Sequence, residues 1–325
     1  MPTVRPGSPN IRKPPPFRIR RMNPQPRAQL LYGAARLLGH LPWPILKTLA
    51  DALAWLWLRL DARESRVTRR NLELTYPDLL PSERTALHRD ILRSTARQTF
   101  EVLHTWTHSR DQNLAKLRQR NGQQLYDDAL ASGRGVIIAA PHYGNWELLN
   151  QWLSERGPLA IVYRPPASPA LDGFLQLARG ADNVRQVRAE GPAVRQLFKV
   201  LKDGGAVGIL PDQQPKMGDG VFAPFFGVPA LTMTLVNRLA ERTGAIVLYG
   251  WCERISGDLD FSLHVTPADP AVADPDPIVA ATALNTGVES IARRDPRQYQ
   301  WTYKRFTLRP DPAEPNPYAT ARHPH

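Results

Sequence analysis

The chain holds one cysteine, Cys252, in 325 residues. A single thiol excludes an intramolecular disulfide framework and every cysteine-cluster metal site, and it fits a reducing compartment. Lysine is also scarce, with 7 lysines against 35 arginines. Arginine's planar fork suits bidentate phosphate binding in a way that an ammonium does not. Long uncharged apolar runs are missing, and so is any clean membrane-spanning segment of about 20 residues. The sequence carries no HExxH, no GxxxxGK and no GxSxG. Zinc-peptidase, phosphate-loop and serine-hydrolase chemistry therefore have no motif to rest on. Gly218, Asp219 and Gly220 form only a fragment of a dinucleotide pattern, in a stretch that follows no strand.

Positive charge is what the chain has in excess. Forty-two Lys+Arg against 30 Asp+Glu give a net charge of +12. That balance suits an acidic partner: nucleic acid, an anionic membrane or an acidic carrier protein. The charge is unevenly placed, since residues 1–29 contain seven basic residues, eight prolines and no acid. This segment reads as a disordered basic arm, with contact to anionic lipid as the sharper alternative.

From Leu30 to Leu60 the chain turns strongly apolar, but Arg36, Lys47 and Asp51 interrupt it and Pro42 and Pro44 break it. The reading is two short helices lying in one leaflet, with Trp43, Trp55 and Trp57 at the headgroup boundary. Arg59, Arg63, Arg66 and Arg70 follow at helical spacing and share a face, which is either a solvated surface or a phosphate-facing one.

Further on, short apolar runs alternate with helical periodicity. Strands are expected at Val136–Ala140, Leu159–Tyr163, Ala206–Leu210, Ala245–Trp251 and Phe261–Val265. Helices are expected at Asn145–Arg156, Ser168–Ala178, Pro192–Leu201, Thr232–Arg242 and Ile278–Arg293. The pattern predicts an α/β fold with a mainly parallel central sheet and helices on both faces. Ligands of such sheets bind beyond the carboxyl ends of the strands. His142, Arg164 and Asp212 each fall within two residues of such an end.

The segment from His142 to Glu147 is a His-x4-acid pair. With 8 His and 30 acids in 325 residues, about 0.7 such pairs arise by chance, and two occur. The other, His264 with Asp269, runs from a strand into a Pro/Asp-rich loop and reads as an ordinary strand histidine. His142 leaves a buried strand, turns through Gly144 and puts Glu147 in the first turn of a helix capped by Asn145. A base with an orienting acid suits deprotonation of a substrate alcohol, with helix-start amides near Asn145 and Trp146 available to an oxyanion. The bland alternative is a buried histidine with a satisfied hydrogen bond and a glutamate that caps its own helix.

PHYGNWE at Pro141–Glu147 resembles the active-site motif of the bacterial lipid A biosynthesis acyltransferases, within the glycerolipid acyltransferase superfamily. Further blocks are similar in the same order: RVTRRNLELTYPDL at Arg66–Leu79, YRP at Tyr163–Pro165, PDQ at Pro211–Gln213, FFGVPALTMT at Phe225–Thr234 and QWTYKRF at Gln300–Phe306. The resemblance spans about Leu30 to Arg309. It implies an inner-membrane protein facing the cytoplasm. Such a protein takes an acyl chain from acyl carrier protein and esterifies the 3-hydroxyl of an acyl chain on a phosphorylated glucosamine disaccharide. It further implies His142 as base, Glu147 as its acidic partner, Asp212 as a binding or orienting acid, and Arg164 and Arg179 toward substrate. Arg185 and Arg188 compete with Arg179 for its place. For Phe225, Phe226 and Gly227 a packed loop is favoured over a wall of the acyl pocket. The thioester donor is already activated, so no cofactor and no metal are expected, and no nucleic-acid partner is. The rival functions are acylation of another hydroxylated lipid, such as a glycerophospholipid, and lipid binding without catalysis. The expected organisation is an arm over 1–29, apolar helices over 30–60, the α/β domain over 61–309 and a disordered tail over 310–325.

Overall fold

The computed structural model describes residues 26–319, apart from 181, 182 and 190. Most of the basic arm lies outside these residues. Its last four residues are helical, because α1 (Pro26–Gly39) begins with a proline in the first turn, where the missing N–H has no ladder partner to lose. α2 (Trp43–Arg59) starts after Pro42, so the expected break between two short helices is present. α3 (Arg63–Thr75) and α4 (Pro81–Thr107) complete an N-terminal helical layer. Leu46, Ala50 and Ala54 of α2 are buried at helical spacing; Ala50 and Ala54 pack against Ala96 of α4. The other side of α1 and α2 is apolar and exposed, with Leu37 79% and Trp55 63% accessible. No helix among the described residues is long and apolar enough to cross a membrane.

The shared arginine face on α3 is largely spent on the protein itself. Arg63 donates to the Thr302 carbonyl, Arg66 to the Asp61 carbonyl, and Arg70 to Glu73 and the Pro317 carbonyl. The Arg63 side chain nevertheless remains 55% exposed.

Beyond α5 (Arg110–Leu114) the chain alternates. β1 (Leu117–Asn121), α6 (Gln123–Ala131), β2 (Val136–Ala139), α7 (Trp146–Arg156), β3 (Leu159–Tyr163) and α8 (Pro169–Ala178) come first. β4 (Val184–Arg188), α9 (Val194–Lys202), β5 (Ala206–Ile209), the hairpin β6 (Gly220–Phe225) and β7 (Val228–Met233), then α10 (Leu235–Thr243) follow. β8 (Ile246–Arg254), β9 (Phe261–Pro267) and α11 (Pro277–Arg294) close the domain. Among the described residues seven strands form one sheet in the order β1-β9-β8-β2-β5-β3-β4. Every neighbouring pair is parallel except β8 with β9. This is the mainly parallel α/β sheet expected.

Alternation along β2 shows how both faces are filled. Val136 and Ile138 join Leu148, Leu149 and Trp152 of α7 on one side. Ile137 and Ala139 join Leu197 of α9 and Val236 and Leu239 of α10 on the other. A strand covered on both faces has no polar side to show, so it reads as a continuous apolar run. Of the segment expected to be loose from residue 310, residues 310–315 are exposed, while the part around Tyr318 packs onto the body. Tyr318 is buried there, donating its hydroxyl proton to Asn71 Oδ1 at 2.5 Å and accepting from the Phe306 amide. One buried tyrosine with two partners outweighs the loop-like composition around it.

α1 is tied to α4 by stacked imidazoles, His104 on His108 at 3.6 Å between centroids and His108 on His40 at 4.5 Å. Burial, the Lys116 ammonium and the neighbouring rings bring His104 down to about 3. The folded protein thus keeps His104 neutral while the unfolded chain protonates it near 6.5. Its contribution to stability is complete above that value and falls by about 1.4 kcal/mol per pH unit below it. His104→Phe keeps the stack but cannot take a proton. Its melting temperature is expected to drop less than the wild type's between pH 7 and about pH 4.5. Parallel losses in the two proteins would show that His104 is not held neutral.

Candidate active site

Three adjacent parallel strands set the site. Ala139 of β2 pairs with Ile209 of β5, and Ile161 of β3 with Gly208 of β5. Their carboxyl ends therefore open side by side. His142 and Asp212 each stand three residues beyond the Ala139–Ile209 pair, and Arg164 directly follows β3.

The two meet. Asp212 Oδ2 accepts the His142 backbone N–H at 2.8 Å, and Asp212 Oδ1 lies 2.7 Å from His142 Nδ1. A carboxylate can only accept, so Nδ1 carries the proton and Nε2 presents its lone pair. Burial pushes the Asp212 carboxyl up, but the charge and hydrogen bonds of His142 outweigh it and leave the group below its ordinary value. Nε2 accepts a hydrogen bond from the Gln213 amide at 3.2 Å, and Gln213 in turn donates to Gln300 Oε1 at 3.3 Å. The Gln300 amide donates to the His142 carbonyl, and the Trp146 ring meets the imidazole edge to face at 5.0 Å.

The loop carrying His142 turns at Gly144, whose φ of +56° and contact with the Cys252 carbonyl leave no room for a Cβ. Gly144 accepts from Gln98 and donates to the Gln298 carbonyl. Asn145 next to it is fully buried. Its Oδ1 caps α7 by accepting from the Leu148 amide, its Nδ2 donates to Thr105 Oγ1, and its own N–H goes to the Cys252 carbonyl. It caps α7, and both its side chain and its backbone N–H are taken up within the protein.

Glu147 occupies the first turn of α7 as expected, but its carboxylate goes to Arg179 and the acid on His142 is Asp212. Arg179 Nε and Nη2 reach Glu147 Oε1 at 2.9 and 2.5 Å, and Glu147 is 3% exposed. The pair joins the start of α7 to the end of α8. A bidentate guanidinium contact of this kind is short and directional. Of the three competing arginines, Arg179 is the one that lines the cavity beside His142. Arg188 is paired with Asp172 at 3.1 Å, and Arg185 sits beside it on β4.

The cavity measures about 870 Å³ and contains both His142 and Arg164. Ile161, Leu175, Phe198, Leu210 and Met233 make it apolar, whereas Arg195 on α9 and Arg238 and Arg242 on α10 bring positive charge to its wall. These three arginines and Arg164 carry no carboxylate partner among the described residues. Asp219 and Lys216 also face the cavity. Periodicity did not single out Arg195, Arg238 or Arg242, since exposed arginines on amphipathic helices look like any solvated face. Phe225 and Phe226 are packed against Tyr299 and Trp301 as the loop reading anticipated, outside this cavity. His264 is stacked flat on Trp251 at 4.9 Å within β9, far in sequence and in the sheet from Asp212.

The sequence matches the family described as bacterial lipid A biosynthesis acyltransferase over residues 16–307. It is similar to the lipid A biosynthesis lauroyltransferase of Escherichia coli K12, 27% identical over 280 residues that make up 86% of this chain and 90% of that one. It is also similar to the lipid A biosynthesis palmitoleoyltransferase of the same organism, 26% identical over 279 residues, 86% and 90% of the two chains. A shorter likeness covers 135 residues of a phosphatidylinositol mannoside acyltransferase of Mycobacterium tuberculosis, 28% identical over 40% of this chain and 42% of that one. A histidine fixed at the strand ends of an α/β sheet, beside a deep apolar and basic cavity, is thus found in a chain whose sequence matches one family over most of its length: the protein belongs to the bacterial lipid A biosynthesis acyltransferases.

Proposed function

We propose that the protein moves a fatty acyl chain from the thioester of acyl carrier protein to the 3-hydroxyl of an acyl chain on a phosphorylated glucosamine disaccharide. The observation that carries this reading is the Asp212-oriented imidazole of His142 facing a cavity that is at once apolar and arginine-lined. A long acyl chain and a phosphate each find a matching surface there.

The hydroxyl displaces Gln213 from His142 Nε2 and gives that nitrogen its proton as the oxygen attacks the thioester carbonyl. Asp212 stabilises the imidazolium, as an orienting acid does in a catalytic triad. The C–S bond then breaks, the imidazolium returns the proton to the departing thiolate, and the new ester remains on the acceptor. His142 is neutral again at the end, and no covalent acyl-enzyme is needed. The α7 helix start, at Trp146 and Glu147, is a source of amide donors for the oxyanion. Arg164, Arg195, Arg238 and Arg242 are assigned to acceptor or donor phosphate. Glu147 acts through Arg179, holding its guanidinium against the cavity wall, and is a positioning residue. The exposed leucines and tryptophan of α1 and α2 are assigned to one leaflet of the cytoplasmic face of the inner membrane, where anionic headgroups suit a basic protein.

In an assay with acyl carrier protein thioester and a phosphorylated 3-hydroxyacyl disaccharide, His142→Ala is expected to lose about 100-fold or more in rate. Asp212→Asn is expected to lose about 1000-fold, because an amide donates toward Nδ1 and puts the imidazole proton on the wrong nitrogen. A wild-type rate in His142→Ala overturns the base assignment. Turnover restricted to another hydroxylated lipid, read by mass spectrometry of the product, moves the acceptor toward the class named in the mycobacterial relative. Binding without turnover leaves a lipid-binding protein.

Flotation with vesicles containing anionic lipid tests the membrane assignment. Leu37→Glu together with Trp55→Glu is expected to weaken binding by about tenfold or more, since each side chain contributes about 1.5–3 kcal/mol when buried in lipid. Unchanged flotation removes α1 and α2 from the contact.

A further inference from the structure

We propose that Arg305 is the buried counter-charge of the Asp212–His142 pair, a positioning residue that sets the affinity of this pair for a proton. Asp212, Tyr299 and Arg305 face a single small cavity of about 10 Å³, enclosed by Gln213, Gln300 and Tyr303 among others. That is roughly the space of one water molecule, so Asp212, Tyr299 and Arg305 are neighbours around one small space.

Arg305 is 4% exposed, and its guanidinium has only neutral partners: Nη1 donates to the Leu231 carbonyl at 2.6 Å and Nη2 to Thr232 Oγ1 at 2.9 Å. Its Nε has no hydrogen-bond partner within the described residues. A full positive charge held this way is costly unless an opposite charge lies close. The same holds for the Asp212 carboxylate, whose hydrogen-bond partners are the His142 ring, backbone and the Tyr299 hydroxyl, with no guanidinium or ammonium among them. Each group supplies what the other lacks, and in the poorly screened interior the attraction acts across the small cavity.

The remaining titratable neighbours do not supply that charge. Tyr299 is held neutral, far above its usual range, first by burial and then by the carboxylate beside it. Burial raises Tyr303 and Tyr318 too, Tyr318 to about 12. Arg164 acts on Tyr303 from the cavity side. Across the site Glu147 is neutralised by Arg179, and Glu253 serves Tyr143 and Arg294. Burial lowers the proton affinity of the Arg305 guanidinium, opposed first by Tyr299 and then by Asp212, both acting in the sense that favours the charged form. Packing and hydrogen bonding alone would be satisfied by an uncharged side chain of similar shape. The charge is what needs explaining.

The inference rests on His142 as the working base but its test does not need turnover. Full-length protein in detergent, labelled in its histidines, is titrated by NMR, with the His142 signal assigned by its loss in His142→Gln. Removal of the positive charge favours proton uptake by the coupled pair. Arg305→Met is therefore expected to raise the midpoint by about one pH unit or more. Arg305→Lys keeps the charge and is expected to restore most of the wild-type midpoint, although it cannot reproduce both guanidinium bonds. Thr232→Val removes one of those bonds and leaves the charge, and its midpoint is expected to stay at the wild-type value. If Arg305→Met does not fold, Arg305→Gln against Arg305→Lys decides the same question. A midpoint unmoved by neutralisation, or moved as far by lysine as by methionine or glutamine, overturns the inference. Failure of the proposed acyl transfer would leave the titration as it is, so the two readings fail separately.

Discussion

The hydrogen bonds that Asp212 accepts from the backbone and from the ring of His142 are the constraint on which the rest of the site depends. One carboxylate spans two chain segments that are 70 residues apart in sequence. It does so because β2 and β5 are paired in parallel and leave the sheet at the same level. A slip of one residue in that pairing would present a different side chain to His142 and turn both strands over relative to the core. The buried apolar faces that hold the register are therefore also what holds His142 with Nδ1 toward Asp212 and Nε2 toward the cavity, the orientation that the proposed proton transfer needs.

The two acids near the histidine divide their work by surroundings. Glu147 meets a guanidinium and becomes half of a buried ion pair that positions α7 and α8. Asp212 meets the His142 ring and backbone N–H, the contact on which the proposed reaction relies. Spacing along the chain points to Glu147 because it registers only neighbours within a turn or two. Distance in space favours Asp212, which the crossover brings back through α7, β3, α8, β4 and α9. The strand-end position of PDQ was visible in the sequence, and with it Asp212 as an orienting acid among the alternatives. The ranking of the two acids required the register.

What was legible follows the same physics. β2, β3 and β5 are buried on both faces and announce themselves as apolar runs closed by proline or arginine. β1, with LRQRN, lies at the sheet edge with only its first residue buried. β4, with VRQVR, lies at the other edge and alternates with arginine and glutamine. Neither resembles a core strand. The hairpin of β6 and β7 was hidden in a Pro/Gly-rich stretch, because its turn uses Phe226 and Gly227, both at positive φ, and phenylalanine is an unusual residue there. On α3 helical spacing shows that arginines share a face, but not that carbonyls of residues 302 and 317 meet two of them.

One of those carbonyls belongs to the stretch from Gln300 to Tyr303, which braces His142; the other lies beyond residue 309, where the composition suggested little structure. Gln300 holds the carbonyl of His142, and the Tyr303 hydroxyl accepts from the Gln214 amide. Asn71 on α3 donates to the carbonyls of Trp301 and Tyr303 at 2.7 and 2.8 Å and accepts from Tyr318. Thus α3, which follows directly on the apolar helix α2, grips the same segment that supports His142. A polar side chain buried in such a network is costly to leave half satisfied, so the helical layer and the strand ends cannot shift independently without breaking several of these bonds at once. The helices assigned to the lipid surface and the imidazole assigned to the hydroxyl are in this way parts of one rigid connection, and a substrate entering from a membrane would meet a base whose position is already fixed.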